Sequence, residues 1–527
     1  MRVFGNYAWA VACICVVFAA SARAADDLTI KTDKGKIHGK LSDDGQIRTF
    51  LGVPYASPPV GPLRWKPPQP SAKWSGVRET TSFGFRCMQP DIFHDMHFRD
   101  PGEREDCLTL NVWTPAKNKH ARLPVMVWIY GGGFVAGATS EPRQDGEHLA
   151  HKGVIVLSMN YRLGLFGFFV HPALAAESPQ HAAGNYGLMD QTAALQWVKR
   201  NIGAFGGDPN NVTLFGESAG SFSVSAQMAS PLAQGLFAHA IGESGAAFYS
   251  RGLSFAPLAE RETADPAFAI SAFGTSDLGA LRAMSAQAMM QKMGTQANPG
   301  RSPIGADVDG YFLPASVPQI YSEGKQAHIP LMAGWNRDEP SALAVNFPQP
   351  PTVQSFQQLA EKSFEVRAQE FLRVYSAQTD AEAVRSAIDF AGDSFIAFST
   401  WEWLETQVST GGAVVYRYHF ERPAPGDKYH PAGSGAFHSD EIEYVFGNLN
   451  SRPDAVWQPE DQKLSDLVET YWTNFARTGN PNGAGAPEWS QYNAGDGWQL
   501  MHLDVNSESG PDQHRDRYLF LQSAWAK

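Results

Sequence analysis

The chain has 527 residues, of which 43% are apolar, and a formal net charge of −12. The length is large for one domain on the usual prior of roughly 150 residues, and the apolar content is enough to bury a large core. The acidity, with no basic cluster, argues against nucleic acid or an anionic membrane as a partner.

The first residues, MRVFGNYAWAVACICVVFAASARA, read as a secretory signal peptide. Arg2 supplies the positive start, Trp9 to Ala20 the apolar stretch, and Ala22-Arg23-Ala24 a small-x-small cleavage site. The apolar run is shorter than the roughly 20 residues a spanning helix needs. Cleavage after Ala24 is expected, giving a secreted or periplasmic protein with no membrane attachment. Losing Arg2 and Arg23 moves the net charge from −12 to −14. Of the four cysteines, Cys13 and Cys15 leave with the leader. Cys87 and Cys107 remain in a chain bound for an oxidising space, and a disulfide is the simplest reading. Closing a loop of about 20 residues would stabilise the fold by about 3 kcal/mol. No His-Glu-x-x-His and no paired Cys-x-x-Cys occurs, so no metal is expected.

Residues 28–55 alternate as short antiparallel strands around the turns TDKGK and SDDGQ. PVMVWIY (124–130) and GVIVLSMNY (153–161) are nearly continuous apolar runs, the pattern of strands buried on both faces. VTLF (212–215), HIPLMAGW (328–335) and AVVYRYHF (413–420) are further strand candidates. Among the helical stretches, GLMDQTAALQWVKRNI puts Leu188, Leu195, Val198 and Ile202 on one face, and 465–475 is amphipathic too. The alternation predicts an α/β fold with a large, mostly parallel central sheet and helices on both faces. Residues 251–327 are alanine-rich and helical, and are expected as an insertion above the carboxyl end of the sheet. No linker or repeat interrupts the chain, so residues 25–527 read as one domain.

The chemistry concentrates at Gly216-Glu217-Ser218-Ala219-Gly220. A lone Gly-x-Ser-x-Gly is a weak signal. Here it follows the strand VTLF and precedes the helical AGSFSVSAQMA, the context a nucleophile elbow needs. Glycines allow the sharp turn, and the N–H of Ala219 would face an oxyanion. Gly131, Gly132 and Gly133 follow another buried strand and offer unobstructed N–H donors of the kind that stabilise acyl-transfer transition states. No Gly-Lys-Ser/Thr follows, which disfavours a phosphate loop. Gly242-Glu243-Ser244 repeats the start of the motif, but Gly245 comes one place early. Ser244 is therefore rejected as nucleophile and kept as a supporting hydrogen-bonding residue.

Together these stretches resemble the type-B carboxylesterase and cholinesterase family of α/β-hydrolases. FLGVPYASPPVGPLRWKPP resembles the family's amino-terminal block, EDCLTLNVWTP its second signature, and GNYGLMDQTAALQWVKRNIGAFGGDPNNVTLFGESAG its nucleophile signature. YWTNFARTGNPN resembles the carboxyl-terminal block. The resemblance implies a serine esterase with a Ser218, Glu339, His438 triad, in the serine–acid–histidine order of the fold. Glu339 lies in GWNRDEP, where Asp338 is the chemical rival, and His438 in GAFHSDEIEYVFGN. Pro340 departs from the family's usual glycine. Gly132, Gly133 and Ala219 are implied as the oxyanion hole, and Glu217 as a buried hydrogen-bonding acid.

The expected partner is a small-molecule ester, with no metal or organic cofactor. A non-catalytic adhesion-type member of the fold and an amidase or lactonase are the alternatives. The sequon at Asn211-Val212-Thr213 sits at the entry to a central strand and reads as structural. The loop between Cys87 and Cys107 contains no tryptophan, so a cholinesterase-like cation site is not expected; Phe93 and Phe98 are its weaker substitutes.

Overall fold

One mixed sheet organises the chain. The computed structural model describes residues 28–249, 255–294, 304–340 and 349–525. The predicted leader and its cleavage point lie outside them. The strands of the sheet are β1 (Lys40–Leu41), β2 (Arg48–Pro54), β3 (Thr109–Thr114), β4 (Leu123–Ile129), β5 (Ile155–Met159), β6 (Gly207–Glu217), β7 (His239–Glu243), β8 (Leu331–Asn336), β9 (Val415–Phe420), β10 (Gln499–Leu503) and β11 (Glu508–Pro511). Across the sheet they run β1-β2-β3-β5-β4-β6-β7-β8-β9-β10-β11. Every pairing from β5 through β10 is parallel. The antiparallel pairings lie at the two margins.

The parallel block is apolar because water reaches neither face. β5 is buried at every residue, and so is β4 from Val125 to Ile129. Two neighbouring residues of β7 show what covers each side. A Cβ added to Gly242 would meet Trp403 and Ser221, from the helices Phe398–Thr410 and Ala219–Ala229. The next side chain, Glu243, points to the other face and accepts a 2.7 Å hydrogen bond from Trp472 of the helix Pro459–Thr478. The helix Tyr186–Asn201 buries Leu188, Leu195 and Val198 as its periodicity predicts.

Several elements differ from the sequence reading. β3, β7, β10 and β11 carry little strand signal in the sequence, because they are short or alternate with polar residues. β6 begins at Gly207, five residues before VTLF. Residues 251–327 hold the helices Leu258–Phe273, Leu278–Ala283, Ala286–Gly294 and Val317–Ser322, as expected. They also hold two short parallel strands, Ala256–Pro257 and Asp307–Val308. Cys87 and Cys107 form a disulfide with a Cα–Cα distance of 5.0 Å. Asn211 donates its side-chain amide to the Arg477 carbonyl at 3.1 Å. No helix among the described residues is long and apolar enough to cross a membrane.

Candidate active site

Ser218 sits where β6 turns into the helix Ala219–Ala229. Its backbone has φ 53° and ψ −123°, a conformation that costs a non-glycine residue about 1–3 kcal/mol. The surroundings hold it there. Ser218 N–H donates to the Glu243 carbonyl at 2.8 Å, tying the end of β6 to the end of β7. The helix crosses so close to β4 that a Cβ on Gly220 would lie 2.0 Å from the Ile129 carbonyl oxygen. The second glycine of the motif is therefore a steric requirement.

His438 reaches this serine from the segment that follows β9. Its Nε2 lies 2.9 Å from Ser218 Oγ, and its Nδ1 lies 2.5 Å from Glu339 Oε2. Phe395 stands edge-on to the imidazole, with ring centroids 5.2 Å apart. Glu339 lies in the turn after β8 and is 1% exposed. Its other oxygen accepts from Ser244 Oγ at 2.6 Å and from Asn336 N–H at 2.8 Å. The backbone closes the arrangement, since His438 N–H donates to the Glu339 carbonyl at 2.9 Å.

Asp338 faces elsewhere. It pairs with Arg385 at 2.5 Å and with Arg337 at 3.1 Å, and accepts from Ala436 N–H at 3.0 Å. Burial works to raise its pKa, but Arg385 and its other partners outweigh that and hold the carboxyl below the usual range. The choice between two adjacent carboxylates, open on sequence chemistry, thus becomes a matter of direction: Glu339 touches the imidazole and Asp338 does not. Pro340 follows within the same turn, and residues 341–348 lie outside the described residues.

Glu217 is 3% exposed. Its Oε1 lies 3.2 Å from His438 Nε2. Burial raises the Glu217 pKa, which His438 partly offsets. For His438, burial disfavours the imidazolium, but Glu217 and Glu339 together outweigh it and raise the pKa above the ordinary histidine value.

The glycine run lies against the serine. A Cβ on Gly131 would come 3.0 Å from Ser218 Cβ. Gly132 takes φ 95° and Gly133 φ 64°. The N–H groups of Gly132 and Gly133 make no hydrogen bond to another described residue. Ala219 is the first residue of its helix, where N–H groups have no intrahelical acceptor. Met96, from the disulfide loop, approaches Gly132 to 3.4 Å of where a Cβ would be. It also lines a cavity of about 210 Å³ with Arg86, Gln89, Phe93, Phe98 and Ala136.

The sequence reading did not single out Asn336, Glu441 or Phe395. Asn336 Nδ2 donates to the Phe437 carbonyl at 2.7 Å and to Glu441 Oε2 at 2.5 Å, bracing the histidine segment against β8. The available signal was proximity: Asn336 lies three residues before Glu339, and Glu441 three after His438.

Comparison with known proteins agrees with this architecture. The carboxylesterase family pattern matches residues 26–519. Fumonisin B1 esterase of Sphingopyxis macrogoltabida is 35% identical over 469 residues, covering 88% of this chain and 84% of that protein. Carboxylesterase 1D of Rattus norvegicus is 35% identical over 518 residues, covering 89% and 88%. Liver carboxylesterase of Sus scrofa is 34% identical over 553 residues, covering 95% and 94%. The chain belongs to the carboxylesterase family and is a carboxylic ester hydrolase of the α/β-hydrolase fold.

Proposed function

We propose that Ser218, His438 and Glu339 form the catalytic triad, and that the protein cleaves uncharged carboxylic esters through an acyl-enzyme. The observation that carries this is the unbroken hydrogen-bond line from Ser218 Oγ through His438 to Glu339. Serine is a weak nucleophile at neutral pH and needs an adjacent base. His438 Nε2 takes the hydroxyl proton as Oγ bonds to the ester carbonyl carbon. The oxyanion is stabilised by the N–H groups of Gly132, Gly133 and Ala219. His438 then gives its proton to the departing alcohol oxygen as the C–O bond breaks. His438 next takes a proton from water as the water oxygen bonds to the acyl carbon, and returns it to Ser218 Oγ as the acyl C–Oγ bond breaks and the carboxylic acid leaves. Glu339 holds the imidazole in the tautomer with Nδ1–H and stabilises the imidazolium. Ser244 and Asn336 in turn hold Glu339. The reading includes a cleaved leader of residues 1–24, export, and a single catalytic domain over residues 25–527. It requires no metal or organic cofactor.

The test is covalent labelling. A fluorophosphonate should modify Ser218 alone, identified by peptide mass spectrometry. Labelling at Ser244 would overturn the assignment.

The pH profile follows from the two acids around His438. Protonated His438 cannot accept the serine proton, so kcat/KM should fall as pH drops through its titration. Because Glu217 and Glu339 raise that pKa, the acid limb should lie above the ordinary value of about 6.5. Glu217→Gln removes one anionic neighbour, so the limb should move to lower pH. A limb that stays in place would mean that Glu217 carries no charge beside the imidazole.

Choline esters should gain nothing over uncharged ones. The face of Phe98 already carries the guanidinium of Arg86, 5.0 Å from the ring centroid. Phe93 is 39% exposed, where cation–π attraction is worth only about 0.5–1 kcal/mol. Acetylcholine and its carbon isostere 3,3-dimethylbutyl acetate should show kcat/KM values within about tenfold, or 1.4 kcal/mol. A larger advantage for acetylcholine would reveal a cation site elsewhere in the pocket.

A further inference from the structure

We propose that His419, Glu421 and His502 form a binding site for a first-row transition-metal dication of the zinc type. The site is separate from the triad, and the inference does not rest on the proposed mechanism. His419 and His502 are direct partners across β9 and β10, so both side chains leave the same face of the sheet at neighbouring positions. Glu421 follows two residues after His419 and returns to that face. Its backbone is pinned, because Glu421 N–H donates to the Leu503 carbonyl at 2.9 Å. His419 Nδ1 lies 2.8 Å from Glu421 Oε1, and His502 Nδ1 lies 2.5 Å from the same oxygen. Three ligand atoms from three short, hydrogen-bonded backbone positions therefore already converge.

Two imidazole nitrogens and one carboxylate oxygen are a donor set suited to zinc and its neighbours. Metal–ligand bonds of about 2.0–2.2 Å in a tetrahedral site put the ligand atoms roughly 3.3–3.5 Å apart. Each imidazole–carboxylate pair needs to open by less than an ångström, which side-chain rotation supplies. Each imidazole would then present its Nδ1 lone pair to the metal and carry its proton on Nε2. Remaining coordination positions would face the adjoining cavity of about 640 Å³ and hold water.

The local charges favour a cation. Glu421 is partly buried and has no lysine or arginine partner among the described residues; its ion-pair contacts are His419 and His502. The arginines lining the cavity are already matched: Arg337 with Asp338, Arg385 with Asp338 and Asp389, Arg417 with Asp512, and Arg517 with Asp389. Glu508, the cross-strand neighbour of His502, adds a further carboxylate at the cavity wall.

The test uses untagged, chelator-treated full-length protein. Calorimetric titration with zinc chloride should give one site per chain with a Kd of about 10 μM or tighter. Cobalt chloride should produce a visible d–d absorption in the wild type, and zinc should abolish it. His502→Ala and Glu421→Gln should each weaken binding at least tenfold, with circular dichroism confirming the fold. If the wild type shows no stoichiometric zinc binding and no cobalt band, the site does not exist. Binding that persists unchanged in a folded His419→Ala/His502→Ala variant would also overturn the assignment.

Discussion

Ser218→Ala should lower kcat for ester hydrolysis by about 10,000-fold or more while leaving the melting temperature unchanged. The size follows from what the hydroxyl does. On the proposed mechanism no acyl-enzyme forms without Oγ, and only substrate binding and the oxyanion donors remain to accelerate attack by water. Four powers of ten correspond to about 5.4 kcal/mol of barrier. The fold should not notice, because among the described residues the hydroxyl's hydrogen bond runs only to His438. The Ser218 N–H bond to Glu243, which anchors the turn, survives in alanine. Steady-state kinetics and a thermal melt on the same preparation check both halves. A variant retaining a tenth of the activity would mean the nucleophile lies elsewhere.

The second large effect separates two neighbouring carboxylates. Glu339→Gln should lower kcat by about 1,000- to 10,000-fold, the scale seen when the acid of a triad is made an amide. Its oxygens meet His438 on one side, and Ser244 and Asn336 on the other. An amide in that place can offer an N–H toward Nδ1, which favours the wrong tautomer. Asp338→Asn should leave kcat within tenfold, since Asp338 contacts Arg385, Arg337 and Ala436 but not the imidazole. Its effect should appear instead in the melt, as a loss of about 1–3 kcal/mol for the weakened hydrogen bonds of a buried carboxylate to half-exposed arginines. Measuring activity and stability for both variants gives a crossed pattern. If the two exchange places, the acid is misassigned by one residue.

The site and the centre of the sheet were legible for different reasons. β4 and β5 announce themselves by unbroken apolar runs, because both faces are covered and no polar residue fits. Ser218 is legible because its turn demands small residues at fixed places around it. Glu339 and His438 carry no such local signature, and only their resemblance to family segments marked them. Asn336 and Glu441 escaped because their importance is three-dimensional: they join β8 to the histidine segment across more than a hundred residues of chain. His419, Glu421 and His502 escaped for the same reason, since a separation of 81 residues between Glu421 and His502 matches no short ligand motif. The marginal strands β10 and β11 are half polar and read as loop until their hydrogen-bonding partners are known.

The tight crossing of the helix Ala219–Ala229 over β4 bears on how the enzyme can be evolved in the laboratory. Gly220 would drive a Cβ to 2.0 Å from the Ile129 oxygen, and Gly216 to 2.6 Å from the same atom. Both obstacles are backbone, so no neighbouring side chain can step aside. Mutagenesis libraries that include these two positions spend their diversity on misfolded clones, whatever the target substrate. Randomising Phe93, Met96 and Phe98 instead alters the chamber beside Gly132 and leaves the elbow untouched. New selectivity should therefore come from the disulfide loop, with the turn that carries the serine held constant as the invariant part of the design.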